Sequence, residues 1–163
     1  MALNNIHDLF VKELNDLHSA ELQILDALPK LSKAAQSAEL TKAFDHHHAQ
    51  THVHRDRLEQ VFELVGAKPS GEKCKGMAGL LAEGESLLKE AAPSEILDAA
   101  LIGAAQRVEH YEMAGYGCAR TYARMLGLDA GVQLLQQTLD EEGQTDHLLT
   151  RLAHTTINPR VPA

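Results

Sequence analysis

The sequence contains no tryptophan, and aromatic residues make up only 4% of its 163 positions. Ala, Leu, Glu, Gln and Lys dominate instead, and these are helix formers. The two cysteines, Cys74 and Cys118, stand far apart and outside any Cys-x-x-Cys spacing. That argues against a disulfide scaffold and for a reducing compartment. Cys118 lies in an apolar helical segment and is expected to be a small core residue. No apolar run is long enough to span a bilayer, so no membrane partner is expected. The opening Met1-Ala2-Leu3-Asn4-Asn5 lacks the basic and apolar regions of a signal peptide, which gives a cytoplasmic expectation. Basic charge is not in excess either: the net charge is -8 at pH 7, which argues against nucleic acid as a partner. The length suits one domain with a substantial core.

What the sequence does have is helical periodicity, in four long segments, and none of them alternates as a strand. The first is expected over residues 3–35, with a stripe of Leu14, Leu17, Ile24, Leu28 and Leu31. The second spans 38–65, with Leu40, Phe44, Leu58, Val61 and Phe62, and stops at Gly66. The third spans 95–126 behind Pro93, with Ser94 as N-cap and a stripe of Leu101, Ala105, Val108, Ala119 and Tyr122. The fourth spans 130–154, with Val132, Leu135, Leu139, Leu149 and Ala153, and leads into an irregular tail. Short turns join the first two and the last two, so each pair forms an antiparallel hairpin. The glycine-bearing crossover 67–93 between them is expected to hold a short extra helix from Met77 to Glu90. Two helical hairpins with one long crossover form an all-α, ferritin-like four-helix bundle.

Charged residues interrupt these stripes at particular points. Glu21 falls between Leu17 and Ile24, and His47 and His54 continue the seven-residue series from Leu40 to Val61, with Gln50 between them. Glu112 follows Val108, Glu109 lies close by, and Glu142 and Asp146 separate Leu139 from Leu149. Each has an ordinary explanation on its own: Glu21 at a stripe edge, His54 as a hydrogen-bonded core histidine, Asp146 paired with Arg107. Depth argues otherwise. Glu21 precedes the first hairpin turn by about as many residues as Gln50 and His54 follow it. Glu112 stands in the same relation to Glu142 and Asp146. At about 1.5 Å per residue, all four interruptions fall in one mid-bundle layer. One acid on the first helix of each hairpin and a polar pair on the second is the plan of a metal-carboxylate centre. The candidate ligands are Glu21, Gln50, His54, Glu112, Glu142 and Asp146, with His47 and Glu109 as hydrogen-bonding supports or further ligands. Such donors suit iron or manganese, in one or two ions, and zinc as well. His46, His48 and His52 are expected on solvated faces.

Four strings carry a family resemblance: Asp16-Leu17-His18-Ser19-Ala20-Glu21, Ala27-Leu28-Pro29-Lys30, Arg57-Leu58-Glu59-Gln60-Val61-Phe62, and Ala105-Gln106-Arg107-Val108-Glu109-His110-Tyr111-Glu112. Leu139-Asp140-Glu141-Glu142 continues them. Through these the chain resembles the YciE/YciF family of ferritin-like bacterial stress proteins. The resemblance implies a homodimer of bundles related to rubrerythrin-type proteins and a link to osmotic or other stress. It also places Glu where this chain has Gln50, a neutral and weaker ligand, so that Glu21, Gln50 and His54 form the poorer half of the site.

The expectation is a stress-response protein whose core metal would oxidise Fe(II) or dispose of peroxide, with a metal ion, O2 or peroxide as substrate. Its rival is a metal-free helical dimer acting through protein contacts, whose core acids pair with Arg107, Arg55 or each other. Ferritin-style storage would need a hollow cage, which nothing in the sequence indicates.

Overall fold

The computed structural model describes residues 3–90 and 94–161. These form five α-helices: α1 (Ile6–Ala34), α2 (Ala38–Val65), α3 (Lys75–Glu90), α4 (Glu95–Met125) and α5 (Asp129–Leu152). Among the described residues there is no strand. Helix α1 pairs with α2 and α4 with α5. The two hairpins face each other through α1 against α4 and α2 against α5, while α3 lies across α4 and α1.

The helix ends follow local chemistry. Asn5 ends the extended entry and starts α1, its Oδ1 accepting from Asp8 N at 2.9 Å, so residues 3–5 stay outside the helix expected there. Ser37 and Ser94 cap α2 and α4 in the same way. Gly66 closes α2 in the left-handed conformation at φ 72°, a backbone geometry that glycine adopts without strain. The α1–α2 turn is fastened from across the bundle. Buried Asp98, in the first turn of α4, accepts from both Gln36 N and Ser37 N at 2.8 Å. Pro29 forfeits one backbone bond on the exposed side of α1, and the helix continues through it.

Helix α3 begins two residues earlier than the Met77 start read from the sequence, because the Cys74 thiol accepts from Met77 N at 3.3 Å and caps it. After α5 the chain widens into one π-helical turn (Ala153–Ile157) and a short 3-10 turn (Asn158–Arg160), and Ile157 is buried. The tail is therefore more ordered than expected up to residue 161. Pro93, Pro162 and Ala163 lie outside the described residues.

The apolar interior comes in two blocks. One gathers Ile24, Leu28, Leu40, Phe44, Leu101, Ile102 and Leu149. The other gathers Phe10, Leu14, Leu17, Leu58, Val61, Phe62, Tyr116 and Leu135. Each fully buried aliphatic side chain in them stabilises the fold by roughly 1.5–3 kcal/mol. Between the blocks lie the buried polar residues Glu21, His47, Thr51, His54, Glu109, Glu112, Thr138, Glu142 and Thr145. All four long helices contribute to that layer.

Two expectations about the core need correction. Cys118 is exposed and Cys74 is the buried cysteine. Cys118 follows the buried Tyr116 by two residues, about 200° around the helix, which turns it outward. The interior line of α5 runs Leu135, Thr138, Glu142, Thr145, Leu149 and Leu152, and Val132, Leu139 and Ala153 are only partly buried.

Candidate metal centre

Two groups of buried ligand-type side chains share Glu142. The first holds His47, Glu109, Glu112 and Glu142, and the second Glu21, His54 and Glu142. Within each group the donor atoms lie within 4.8 Å of one another. His47 Nε2 stands 3.4 Å from Glu109 Oε1 and 3.8 Å from Glu142 Oε2. His54 Nδ1 stands 2.8 Å from Glu142 Oε1 and 3.7 Å from Glu21 Oε1. Four helices thus deliver six ligand-type residues to one place. Gly115 lets α4 approach α1 next to it: a Cβ there would meet Leu17 Cδ2 at 2.8 Å.

Both histidines are held from outside and left open inside. The Glu141 carboxylate lies 2.8 Å from His54 Nε2 and takes its proton in a hydrogen bond. Arg57 grips the same carboxylate at 2.7 and 3.0 Å. His54 Nδ1 is thereby aimed at Glu21 and Glu142. The His47 ring sets Nδ1 3.3 Å from Thr145 Oγ1, and the Thr145 hydroxyl donates to the Glu141 carbonyl, so Nε2 faces the carboxylates. Tyr116 OH donates a short hydrogen bond to Glu21 Oε1. What remains is a set of buried donor atoms with no aligned hydrogen bond: His47 Nε2, His54 Nδ1, Glu21 Oε2, Glu109 Oε2, and both oxygens of Glu112 and Glu142. Burying one such atom unsatisfied is costly, and here they converge.

Without a cation, protons must neutralise the layer. Burial pushes the Glu21 carboxyl up to about 8, reinforced by the Glu142 charge. Burial likewise holds Glu109 and Glu112 well above the carboxylate range, with neighbouring acids adding to it. Burial alone would lower His54 and raise Glu142, but their mutual contact reverses both: His54 rises to about 9 and Glu142 falls below the ordinary carboxylate value. Desolvation lowers His47. Tyr116 is pushed far up by burial and the acids beside it and stays a neutral phenol.

Of the residues singled out in the sequence, Glu21, His54, Glu112 and Glu142 meet here, joined by His47 and Glu109, which were expected as hydrogen-bonding supports or further ligands. Gln50 is half-buried beside the His47 ring, and its buried Oε1 receives no aligned hydrogen bond. Asp146 is elsewhere. Its Oδ1 accepts from Gln106 Nε2 at 2.9 Å and lies 3.3 Å from the exposed His110, on the α4–α5 flank. Three residues after Glu142, Thr145 points to the core, and the fourth falls past it. The arginine pairing envisaged for a metal-free core also differs. Arg55 pairs with Asp56 and Glu59 outside, and Arg107 donates to the Gly103 carbonyl. Arg57, Glu141, Tyr116 and Thr145 were not singled out in the sequence. Tyr116 was the one open to discovery there, since it lies four residues after Glu112 on the Val108 stripe.

Comparison with known proteins agrees with this geometry at the level of family and fold. A family model described as a domain of unknown function, DUF892, matches residues 5–161. The chain belongs to the DUF892 family. Protein YciF of Escherichia coli strain K12 is 41% identical over 161 residues, covering 98% of this chain and 97% of that protein. The crystal structure of the E. coli stress protein YciF superposes with a TM-score of 0.92, covering 96% of this chain and 99% of that one. YcfI from Rhodopseudomonas palustris follows at 0.87 and 38% identity, covering 90% and 94%. The resemblance to the YciE/YciF family and the all-α bundle thus both hold. A protein of Xanthomonas campestris pv. campestris, 15% identical with a TM-score of 0.74, shares the fold alone, covering 94% of each chain. No helix among the described residues is long and apolar enough to cross a membrane.

Proposed function

We propose that this DUF892 member is a cytoplasmic stress-response protein that holds two divalent transition-metal ions, iron or manganese, in its bundle core; zinc fits the same donors. The observation that carries the reading is the convergence of orphaned donors. Two imidazole nitrogens and the carboxylate oxygens of four glutamates face one another with no aligned hydrogen bond, while every outward-facing imidazole atom is engaged. The donor set also balances in charge. Glu21, Glu109, Glu112 and Glu142 carry four negative charges when ionised, matching two divalent cations, with both histidines neutral.

Glu142 belongs to both groups and would bridge them, with His47, Glu109 and Glu112 on one side and Glu21 and His54 on the other. When bound, iron or manganese supplies the redox chemistry needed to oxidise Fe(II) or dispose of peroxide. The protein's own part is to orient and to exclude. Glu141 and Arg57 hold the His54 ring, Thr145 holds the His47 ring, and the Tyr116 phenol donates to one oxygen of Glu21 and leaves the other free. The two apolar blocks keep bulk water away from both sides.

A second reading rests on the 2.8 Å contact of His54 with Glu142 and the protonation of the other acids, which lets the fold persist metal-free as a dimer acting through protein contacts. Exposed Leu22 on α1 and Val53 and Leu64 on α2 favour self-association of the first hairpin, which sizing chromatography reads directly. Metal analysis of tag-free protein loaded with Fe(II) or Mn(II) tests the metal reading. About two ions per chain and a melting temperature that falls on chelation are expected. No bound metal and no response to a chelator would leave the second reading in possession.

A further inference from the structure

Four positions beside the centre where a fifth negative charge would be placed are neutral, neutralised or turned away. Glu141, next to Glu142, is held in a two-bond pair by Arg57. Asp146 faces Gln106 and His110 on the α4–α5 flank. Tyr116, in contact with Glu21, is a phenol. Gln50, one turn before His54 and beside the His47 ring, is an amide whose buried oxygen receives no aligned hydrogen bond. A cleft of about 330 Å³ between α2 and α5 opens onto Gln50 and Thr145, and its other walls are His46, Gln144, His147, Leu148 and Arg151. None of these is a carboxylate, so the cleft brings no acid to the Gln50 side of the centre.

We propose that Gln50 sets the charge of the cations this centre accepts, making it selective for a divalent pair over trivalent ions. This rests on the two-cation reading above. Four carboxylates cancel two divalent charges, and each trivalent ion would leave one unit of positive charge uncancelled in a low-dielectric interior. Among the described residues, position 50 combines a buried polar oxygen, contact with a ligand ring, and a side chain that a single oxygen-for-nitrogen exchange makes anionic. Gln50→Glu supplies one such charge without a change of shape, enough for one trivalent ion beside one divalent ion, and the cleft beside it leaves room for the carboxylate.

The test is competition between Zn(II) and Ga(III), the latter supplied as its nitrilotriacetate complex, with bound metal measured after gel filtration. The protein as it stands retains zinc and takes up little gallium. Gln50→Glu shifts the gallium-to-zinc ratio by roughly tenfold or more toward gallium. Gln50→Met, of similar volume and uncharged, leaves the ratio unchanged, which separates charge from packing. Gallium bound as readily as zinc by the unaltered chain, a ratio within about twofold in Gln50→Glu, or an equal shift in Gln50→Met would each overturn the proposal. If the unaltered chain binds neither ion, the two-cation reading itself falls, and Gln50 selectivity falls with it.

Discussion

Raising the pH should destabilise the metal-free protein and stabilise the metal-loaded one. In the metal-free fold the Glu21 carboxyl lies at about 8, displaced by burial from an ordinary value of 4.5. A group raised in the folded state contributes stability that is complete below its unfolded value and lost as the pH climbs through the folded one. For Glu21 the loss therefore runs from about 4.5 to about 8. At 1.36 kcal/mol per pH unit it is on the order of 5 kcal/mol. His54, raised from 6.5 to about 9, loses its contribution over the upper part of the same range, on the order of 3 kcal/mol. The two titrate as a coupled pair, and Glu109 and Glu112, also raised by burial, lose stability in the same direction. A combined loss of at least about 4 kcal/mol between pH 5 and 9 follows, a large share of a typical domain's stability. Lowered Glu142 acts in the opposite sense, but its loss comes only as pH falls below 4.5, outside this window. For a chain of this size the melting temperature should drop by roughly 10 °C from pH 5 to pH 9 in chelator. With Mn(II) in excess the slope reverses, since ligands must shed protons to bind. Thermal unfolding by circular dichroism at four or five pH values decides it. A metal-free melting temperature that is flat or rises from pH 5 to pH 9 would refute the buried-proton account.

Other perturbations separate the parts of the site. Glu141→Gln unfastens Arg57 from the His54 ring and should weaken metal binding about 10- to 100-fold by calorimetry, with stoichiometry kept at saturation. Glu112→Gln mimics the protonated acid, so the metal-free melting temperature at pH 8 should hold or rise while bound metal falls by at least one ion. Asp146→Asn, outside both ligand groups, should leave bound metal unchanged, and a loss there would restore it as a ligand. Asp98→Ala strands two backbone N–H groups at the α1–α2 turn and should cost about 2–4 kcal/mol, read by urea unfolding, with metal content intact.

The parts of this structure that could be read in the sequence are those where periodicity and chemistry conflict. Glu21, His54 and Glu112 stand out because each takes the place of an aliphatic residue on an apolar stripe. The bounds of α2 follow from Ser37 and Gly66, which act locally, whereas the start of α3 is set by the Cys74 thiol, which no sequence signal marked. Helix α5 was harder because its interior line contains Thr138 and Thr145. Threonine can satisfy its own hydroxyl within the helix, as Thr145 does on the Glu141 carbonyl, and so enters a core without announcing it. Reading the line through Leu139 in place of Thr138 carried the next turn to Asp146 in place of Thr145. The supporting pair of Arg57 and Glu141 has no sequence signature at all. The two residues are 84 apart and meet only when α2 packs on α5.

The layer between the two apolar blocks can be neutral in two ways. With protons, Glu21, Glu109 and Glu112 are uncharged and ionised Glu142 offsets charged His54. With two divalent cations, four ionised glutamates offset four positive charges and both histidines are neutral. Passing from one to the other exchanges four protons, those of Glu21, Glu109, Glu112 and His54, for two ions. The net charge of the interior stays at zero at both ends. On the two-cation reading, this is how one backbone would accommodate both occupants. It is also why the two pH slopes must have opposite signs: the protons that stabilise the empty fold are the competitors of the metal in the loaded one.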